Sequence, residues 1–409
     1  MFKSGKKLSA LLLCGALLLT ALGGCAAASE KPADAVPASA APSSAAASVQ
    51  EAASVSETPE TAPAAQPAAA ATRTIVDHAG NEVVIPAEIN RVVISSILPL
   101  PSVFCLFDGA AEKIVGMDPS SMAAAKNSML PKLYPEVLEA DTGFIKDGNL
   151  NIEELLKLKP DVVLYSADKT ADYEALKKAG IPAIAFSTSK FKFDTVATFD
   201  NWISLFGEVF GQQETAKSIA DYGYEVRDEV TKVLQAAGDT LKKPNVLILF
   251  RYDNGSIKTS GSNFFGQYWL ETTGAVNVAS DLKGMAEINM EQVYQWNPDI
   301  IYITNFSPYQ PEDLYQNTID GFDWSVVKAV KENKVYKFPL GMYRWFPPAS
   351  DTPLAMQWLA TKNQPELFKD MDMTQEIKTY YKRFYNYDLN DEEVQQIFNP
   401  SSDASGLKK

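Results

Sequence analysis

Two short stretches concentrate the side chains best suited to hold a charged, partly flat ligand. Tyr343-Arg344-Trp345 sets a guanidinium between two aromatic rings, and Gly341 and Pro347-Pro348 bracket it as a loop. Arg251-Tyr252 repeats the pairing directly after the apolar run Asn245–Phe250. A guanidinium offers charge-assisted hydrogen bonds to anionic oxygen, and tyrosine and tryptophan offer faces on which a flat group stacks. The competing reading is that the rings pack a core while the arginine head snorkels to solvent.

Bond-making chemistry has little to work with. His78 is the only histidine, so a Ser-His-Asp arrangement would have to use it, and it reads as an exposed turn residue. Neither a Gly-x-Ser-x-Gly elbow nor a phosphate-cradling Gly-x-x-x-x-Gly-Lys-[Ser/Thr] loop is present. Centres for bare zinc or manganese draw on several imidazoles, which one histidine cannot supply. Heme held by an axial histidine is disfavoured for the same reason, while tyrosine ligation stays open. An enzyme built on paired carboxylates across a cleft is the remaining catalytic alternative. We assign no catalytic residue, metal ligand or cofactor, and read the chain as a non-enzyme.

The elements that must position these groups alternate. Thr74–Val76 and Val83–Ile85 flank Asp77-His78-Ala79-Gly80-Asn81 as a hairpin. Strands are expected at 91–94, 113–116, 162–165 and 183–186, with helices at 99–107 and 171–179 between them. This alternation indicates a parallel sheet. Residues 194–237 carry no strand signal and read as helical with a break near Gly211. A second series follows: strands at 245–250, 300–304 and 335–338, and helices at 264–272, 324–330 and 351–360. The rest is expected to be helical to Phe398, with a fraying tail. In open α/β sheets, ligands sit beyond the carboxyl ends of the strands. That rule adds Ser95, Met117, Lys146 and Asn305 as weaker ligand candidates beside Arg251, Tyr252, Tyr343, Arg344 and Trp345.

One pattern occurs in both series. Residues 149–164 and 287–302 each place Asn, an apolar residue and Glu before a short apolar-periodic run, then Pro-Asp, then a β-branched run. Glu153 lies seven residues before Pro160, and Glu291 seven before Pro298. Asn151 and Asn289 read as helix N-caps, with Glu154 and Gln292 completing capping boxes. Ile152, Leu155 and Leu156 are expected on the packed face, as are Met290, Val293 and Tyr294. A period of about 140 residues is too long for a solenoid and fits two similar domains.

The front of the chain is a processing segment. Lys3, Lys6 and Lys7 precede the mostly apolar run 8–22, followed by Gly23-Gly24-Cys25. Leu22-Gly23-Gly24-Cys25 resembles the bacterial lipobox, which implies cleavage before Cys25 and its diacylation, enough for stable anchoring. Residues 26–72 are almost all Ala, Ser, Pro, Glu and Thr, and read as a tether. With Cys14 lost and Cys25 lipidated, Cys105 alone remains, in an apolar context that suggests an inert core residue. The formal net charge of −14 argues against a nucleic-acid partner.

The opening Arg73–Gly80, Val84-Ile85-Pro86 and Arg91-Val92-Val93, the paired Glu…Pro-Asp units, and Trp324…Ala329-Val330-Lys331…Lys334-Val335-Tyr336 together resemble the substrate-binding proteins of iron–siderophore, heme and cobalamin ABC importers. The resemblance covers about residues 73–390. It implies α/β architecture, with two α/β lobes of mainly parallel sheets joined by one long rigid helix and a ligand cleft between them. The resulting division is signal peptide 1–24, tether 25–72, N-terminal lobe 73–193, helical spine 194–240 and C-terminal lobe 241–409. It further implies that Glu153 and Glu291 dock on a membrane permease dimer that works with its ATPase. The cargo so implied is a metal chelate, a ferric siderophore first and a corrinoid, heme or nickel chelate second. The receptor would act as a monomer, lipid-anchored outside the cytoplasm. A surface adhesion or scaffold lipoprotein is the alternative from a different class.

Overall fold

The computed structural model describes residues 71–253 and 255–408. The signal peptide, Cys25 and nearly all of the tether fall outside the described residues.

The chain opens with the hairpin β1 (Thr72–Val76) and β2 (Glu82–Pro86). The Asp77 carboxylate fastens it, accepting from the main-chain N–H groups of Ala79, Asn81 and Ala185 at 2.9–3.0 Å. Lobe one continues through β3 (Val92–Ile94), α1 (Leu100–Asp108), β4 (Ile114–Met117), α2 (Pro119–Ala125) and α3 (Leu130–Leu133). The small hairpin β5 (Ile145–Lys146) and β6 (Asn149–Leu150) leads into α4 (Ile152–Lys157), β7 (Val162–Ser166), α5 (Thr170–Lys178) and β8 (Ala183–Phe186). The sheet has the order β4-β3-β7-β8 and is wholly parallel. Both of its faces are covered, which is why its strands are continuous apolar runs.

A helical hairpin follows. α6 (Thr195–Phe210) ends at Gly211, whose φ of 70° is left-handed, and α7 (Gln213–Ala237) begins two residues later. At 1.5 Å per residue α7 is about 37 Å long. Gly207 lets the two helices touch, because a Cβ there would stand 2.8 Å from the Cβ of Ala216.

Lobe two contains β9 (Asn245–Asp253), β10 (Ser256–Ser260), α8 (Phe265–Thr272), β11 (Val276–Asn277), β12 (Met285–Ile288), α9 (Met290–Trp296), β13 (Ile300–Ile303), α10 (Pro311–Tyr315), α11 (Lys328–Lys331) and β14 (Val335–Lys337). Its sheet runs β12-β10-β9-β13-β14, with β11 pairing β9. β11, β9, β13 and β14 are parallel, while β10 and β12 join antiparallel. The helix expected over 324–330 is shorter and later, because Trp324 leads a turn and buries its ring.

α12 (Thr352–Asn363), α13 (Met373–Tyr385) and α14 (Asp391–Phe398) complete the fold. The tail does not fray. Ser402–Ser405 form a 3-10 turn, and Ala404 is fully buried. One continuous core runs from Ile94 and Phe104 through Trp202, Phe206 and Val230 to Ile248, Trp269, Leu359 and Tyr380. Separate clusters back each sheet, around Leu155 and Val163 in lobe one and around Leu249 and Val293 in lobe two.

Candidate functional site

The repeated unit builds the same local structure twice. Asn151 Oδ1 accepts from the N–H groups of Glu153 and Glu154 at 3.1 and 3.2 Å, and Asn289 Oδ1 accepts from Gln292 at 3.0 Å. Only the second copy closes a full capping box, with Gln292 Oε1 accepting from Asn289 N–H at 3.1 Å. In the first copy the Asn151 N–H donates instead to Phe144 O, which leaves Glu154 free to pair with Lys157 at 2.6 Å.

Glu153 and Glu291 are each the second residue of their helix, exposed, and without an ion pair among the described residues. The packed face is narrower than expected. Leu155 and Val293 are buried, but Leu156 is 47% and Tyr294 40% exposed. Each glutamate therefore has an exposed apolar side chain three residues further on, the spacing that places side chains on one helix face.

The loop after β14 holds the guanidinium. Arg344 is 2% exposed. Its Nη2 donates to Ala404 O at 2.7 Å and its Nη1 to the Tyr343 hydroxyl at 3.3 Å. The guanidinium lies over the ring of Phe306 at 4.4 Å and over that of Tyr343 at 5.6 Å. Its Nε is buried with no hydrogen-bond partner. Among the described residues no carboxylate comes within ion-pair distance. Burying an unpaired charge is costly.

Asp351 supports this loop, accepting from Met342 and Tyr343 N–H at 2.7 and 3.2 Å. Burial raises its pKa to about 7 against the lowering effect of those two bonds. Gly341 fits because a Cβ there would stand 2.7 Å from Asp351 Oδ2.

Tyr343 and Arg344 are thus brought together, and Phe306 joins them. Phe306 packs on Phe250 at 5.1 Å, and Phe250 on Phe264 at 5.2 Å, forming a half-buried aromatic wall. Phe193, from the segment leading out of lobe one, reaches Phe264 at 5.9 Å. Of this wall only Phe306 is marked by sequence, as the strand-end neighbour of Asn305, while Phe193, Phe250 and Phe264 look like any core residue.

The other candidates are dispersed. Trp345 is buried and packs edge-to-face on Trp358, so its ring serves the core. Tyr252 is buried among Tyr309, Phe322 and Trp324 and likewise belongs to the lobe-two core. Arg251 is exposed and grips Asp253 through Nε and Nη2, both at 2.9 Å. Ser95 is buried and bonds Leu164 O, and Met117 lies in the main core. Lys146 is exposed on β5. Asn305 is buried, and its Nδ2 ties the end of β13 to the carbonyls of Phe338 and Pro339.

His78 is not an exposed turn residue. Its Nδ1 accepts from Ser187 N–H at 3.2 Å, and its ring meets Phe186 and Phe191 edge-on. Cys105 is buried, and burial pushes its thiol pKa up, which makes it unreactive. Among the described residues no cluster of three or more His, Cys, Asp or Glu could hold a metal ion, and no helix is long and apolar enough to cross a membrane.

Two α/β lobes around a helical hairpin, with Arg344 beside the aromatic wall of Phe250, Phe264 and Phe306, are the architecture of a solute receptor. Residues 100–340 match the periplasmic binding protein family, and the chain belongs to it. The molybdate-binding protein MolA of Haemophilus influenzae is 28% identical over 340 residues, covering 78% of this chain and 92% of MolA. An iron-uptake system-binding protein of Bacillus subtilis is 26% identical over 242 residues, 55% of this chain and 69% of that protein. The crystal structure of a periplasmic solute binding protein from Veillonella parvula matches with a TM-score of 0.72 at 33% identity, covering 80% of this chain and 97% of that one. These relatives are solute-binding proteins, not enzymes, and this chain is likewise a solute-binding protein.

Proposed function

We propose that the chain captures a metal-centred anion outside the cytoplasmic membrane and delivers it to an ABC permease dimer and its ATPase. The observation that carries this reading is Arg344, a buried guanidinium without a carboxylate partner and with a free Nε. An anionic oxygen arriving in the cleft would supply the missing charge. The preferred cargo is an anionic ferric siderophore, because the wall of Phe250, Phe264 and Phe306 suits the flat apolar parts of such chelates. Similarity to the iron-uptake system-binding protein supports the same cargo. Molybdate is the second reading, favoured by similarity to MolA along most of both chains.

Delivery rests on Glu153 and Glu291 docking one lobe each, with Leu156 and Tyr294 adding apolar contact. Diacylation at Cys25 would keep the receptor at the membrane. Titration followed by tryptophan fluorescence tests the cargo, using ferric siderophores, heme, cobalamin, nickel chelates, molybdate and tungstate. Saturable binding of an anionic ferric siderophore supports the first reading, and selective binding of molybdate and tungstate supports the second. Binding confined to neutral or cationic complexes overturns both.

A further inference from the structure

We propose that the C-terminal segment Pro400–Leu407 is a strap that occupies the Arg344 site in the unloaded protein and must leave it before an anionic cargo binds. The proposal rests on the reading of Arg344 as the cargo's anion contact. In the structure, the partner of Arg344 Nη2 is the carbonyl oxygen of Ala404, at 2.7 Å and 60 residues away in sequence. Ala404 is fully buried, held in the 3-10 turn Ser402–Ser405 that Gly406 closes with a left-handed φ of 71°. With Arg344 only 2% exposed, a solute oxygen has no route to the guanidinium while the turn is in place.

The strap leans on both lobes. On lobe two, Pro400 O accepts from Gln310 Nε2 at 3.3 Å. On lobe one, Gly406 approaches α2 so closely that a Cβ built on it would lie 3.6 Å from the Cβ of Ala123. An open groove of about 380 Å³ runs along the surface beside this contact, with Met122, Lys126, Thr142 and Asp403 among its lining residues.

The chemistry orders the competition. A peptide carbonyl is a neutral acceptor and leaves the guanidinium charge uncompensated, whereas an oxygen carrying negative charge adds the attraction of an opposite charge to the hydrogen bond. The carbonyl satisfies one nitrogen of Arg344 at rest, leaves its charge unpaired, and is weak enough to be displaced.

The test locks the strap in the full-length chain. The pair Ala123→Cys and Gly406→Cys has a Cβ separation inside the range a disulfide accepts, and its oxidised and reduced forms carry the same strain of Cys at a φ of 71°, so comparing them isolates the lock. Hydroxyphenylglyoxal labelling of Arg344, read by peptide mass mapping, reports access to the guanidinium without a known cargo. The oxidised pair should label at least tenfold more slowly than the reduced pair. A chain truncated after Asn399 should label at least tenfold faster than the intact chain. Equal labelling of the oxidised and reduced pairs overturns the strap, whatever the truncated chain does. The anion-site reading fails separately, if Arg344→Gln leaves binding across the cargo panel unchanged.

Discussion

The carboxylate of Asp161 accepts from the main-chain N–H of Arg91 at 2.8 Å, and so clamps the last strand of the first repeat to the start of its neighbour. The same oxygen also accepts from Asn90 N–H at 2.8 Å, while Asp161 N–H donates to Arg91 O at 2.8 Å. Asp299 repeats the clamp in lobe two, accepting from Asn245 N–H at 2.8 Å and donating its own N–H to Asn245 O at 2.8 Å. The Pro-Asp step of each repeat therefore sets the register between two parallel strands, while the glutamate seven residues before each proline stays free at the surface.

Asp161→Ala should lower the free energy of unfolding by about 1.5–3 kcal/mol, because two hydrogen bonds to a charged acceptor are lost together. Denaturant melts check this. Asp299 adds a pH signature. Burial pushes its pKa up, but the Lys328 ammonium at 2.7 Å and the Asn245 N–H outweigh that and leave it below the ordinary carboxylate value. Its contribution is then complete above the unfolded-state carboxylate pKa and disappears as pH falls through the lower folded value. Asp299→Asn should flatten that acid limb.

His78 should make the protein acid-sensitive at milder pH. Burial, with Lys190 adding to it, lowers its pKa from 6.5 to about 4. A histidine kept neutral in the fold contributes stability that is whole above 6.5 and lost as pH falls from 6.5 toward 4, by at most roughly 3 kcal/mol. Relative to the parent, His78→Gln should raise the melting temperature at pH 5 more than at pH 7, against the opposing contribution of Asp351 over the same window. An equal shift at both would place the acid sensitivity elsewhere.

Asp351 has the opposite sign. Its folded pKa is raised to about 7, so its contribution is whole below the ordinary carboxylate value and lost as pH rises through about 7. Asp351→Asn should gain stability relative to the parent between pH 4 and pH 8, measured as the difference in melting temperature across that window.

Glu153→Ala combined with Glu291→Ala should abolish cargo uptake by cells and leave cargo affinity of the purified receptor unchanged. Leu156→Ala combined with Tyr294→Ala should weaken uptake less severely, again without touching affinity. Normal transport by the double glutamate variant would end the docking assignment.

Much of the fold was legible because β3, β7, β8, β9 and β13 are near-continuous apolar runs, and Gly211 marks a helix stop. β10 and β12 were not. Ser256-Ile257-Lys258-Thr259-Ser260 is mostly polar, and Met285–Ile288 buries only Ile288, so neither carries a strong apolar signal. Of the candidate site, only residue types were legible. Tyr343-Arg344 stood out as a cation beside an aromatic ring, but Trp345 and Tyr252 are ordinary core rings. The contact that defines Arg344 comes from Ala404, a residue whose side chain says nothing about its carbonyl.

The unbroken packing from Phe104 through Trp202 and Val230 to Trp269 and Tyr380 has a thermodynamic consequence. No plane through the molecule separates the lobes without cutting apolar contacts, so the halves share one melting transition instead of two. The slowest-exchanging amides should lie in α6, α7 and α12, where that packing is deepest. That shared core links the lobe carrying Glu153 to the lobe carrying Glu291, so loosening either one loosens both.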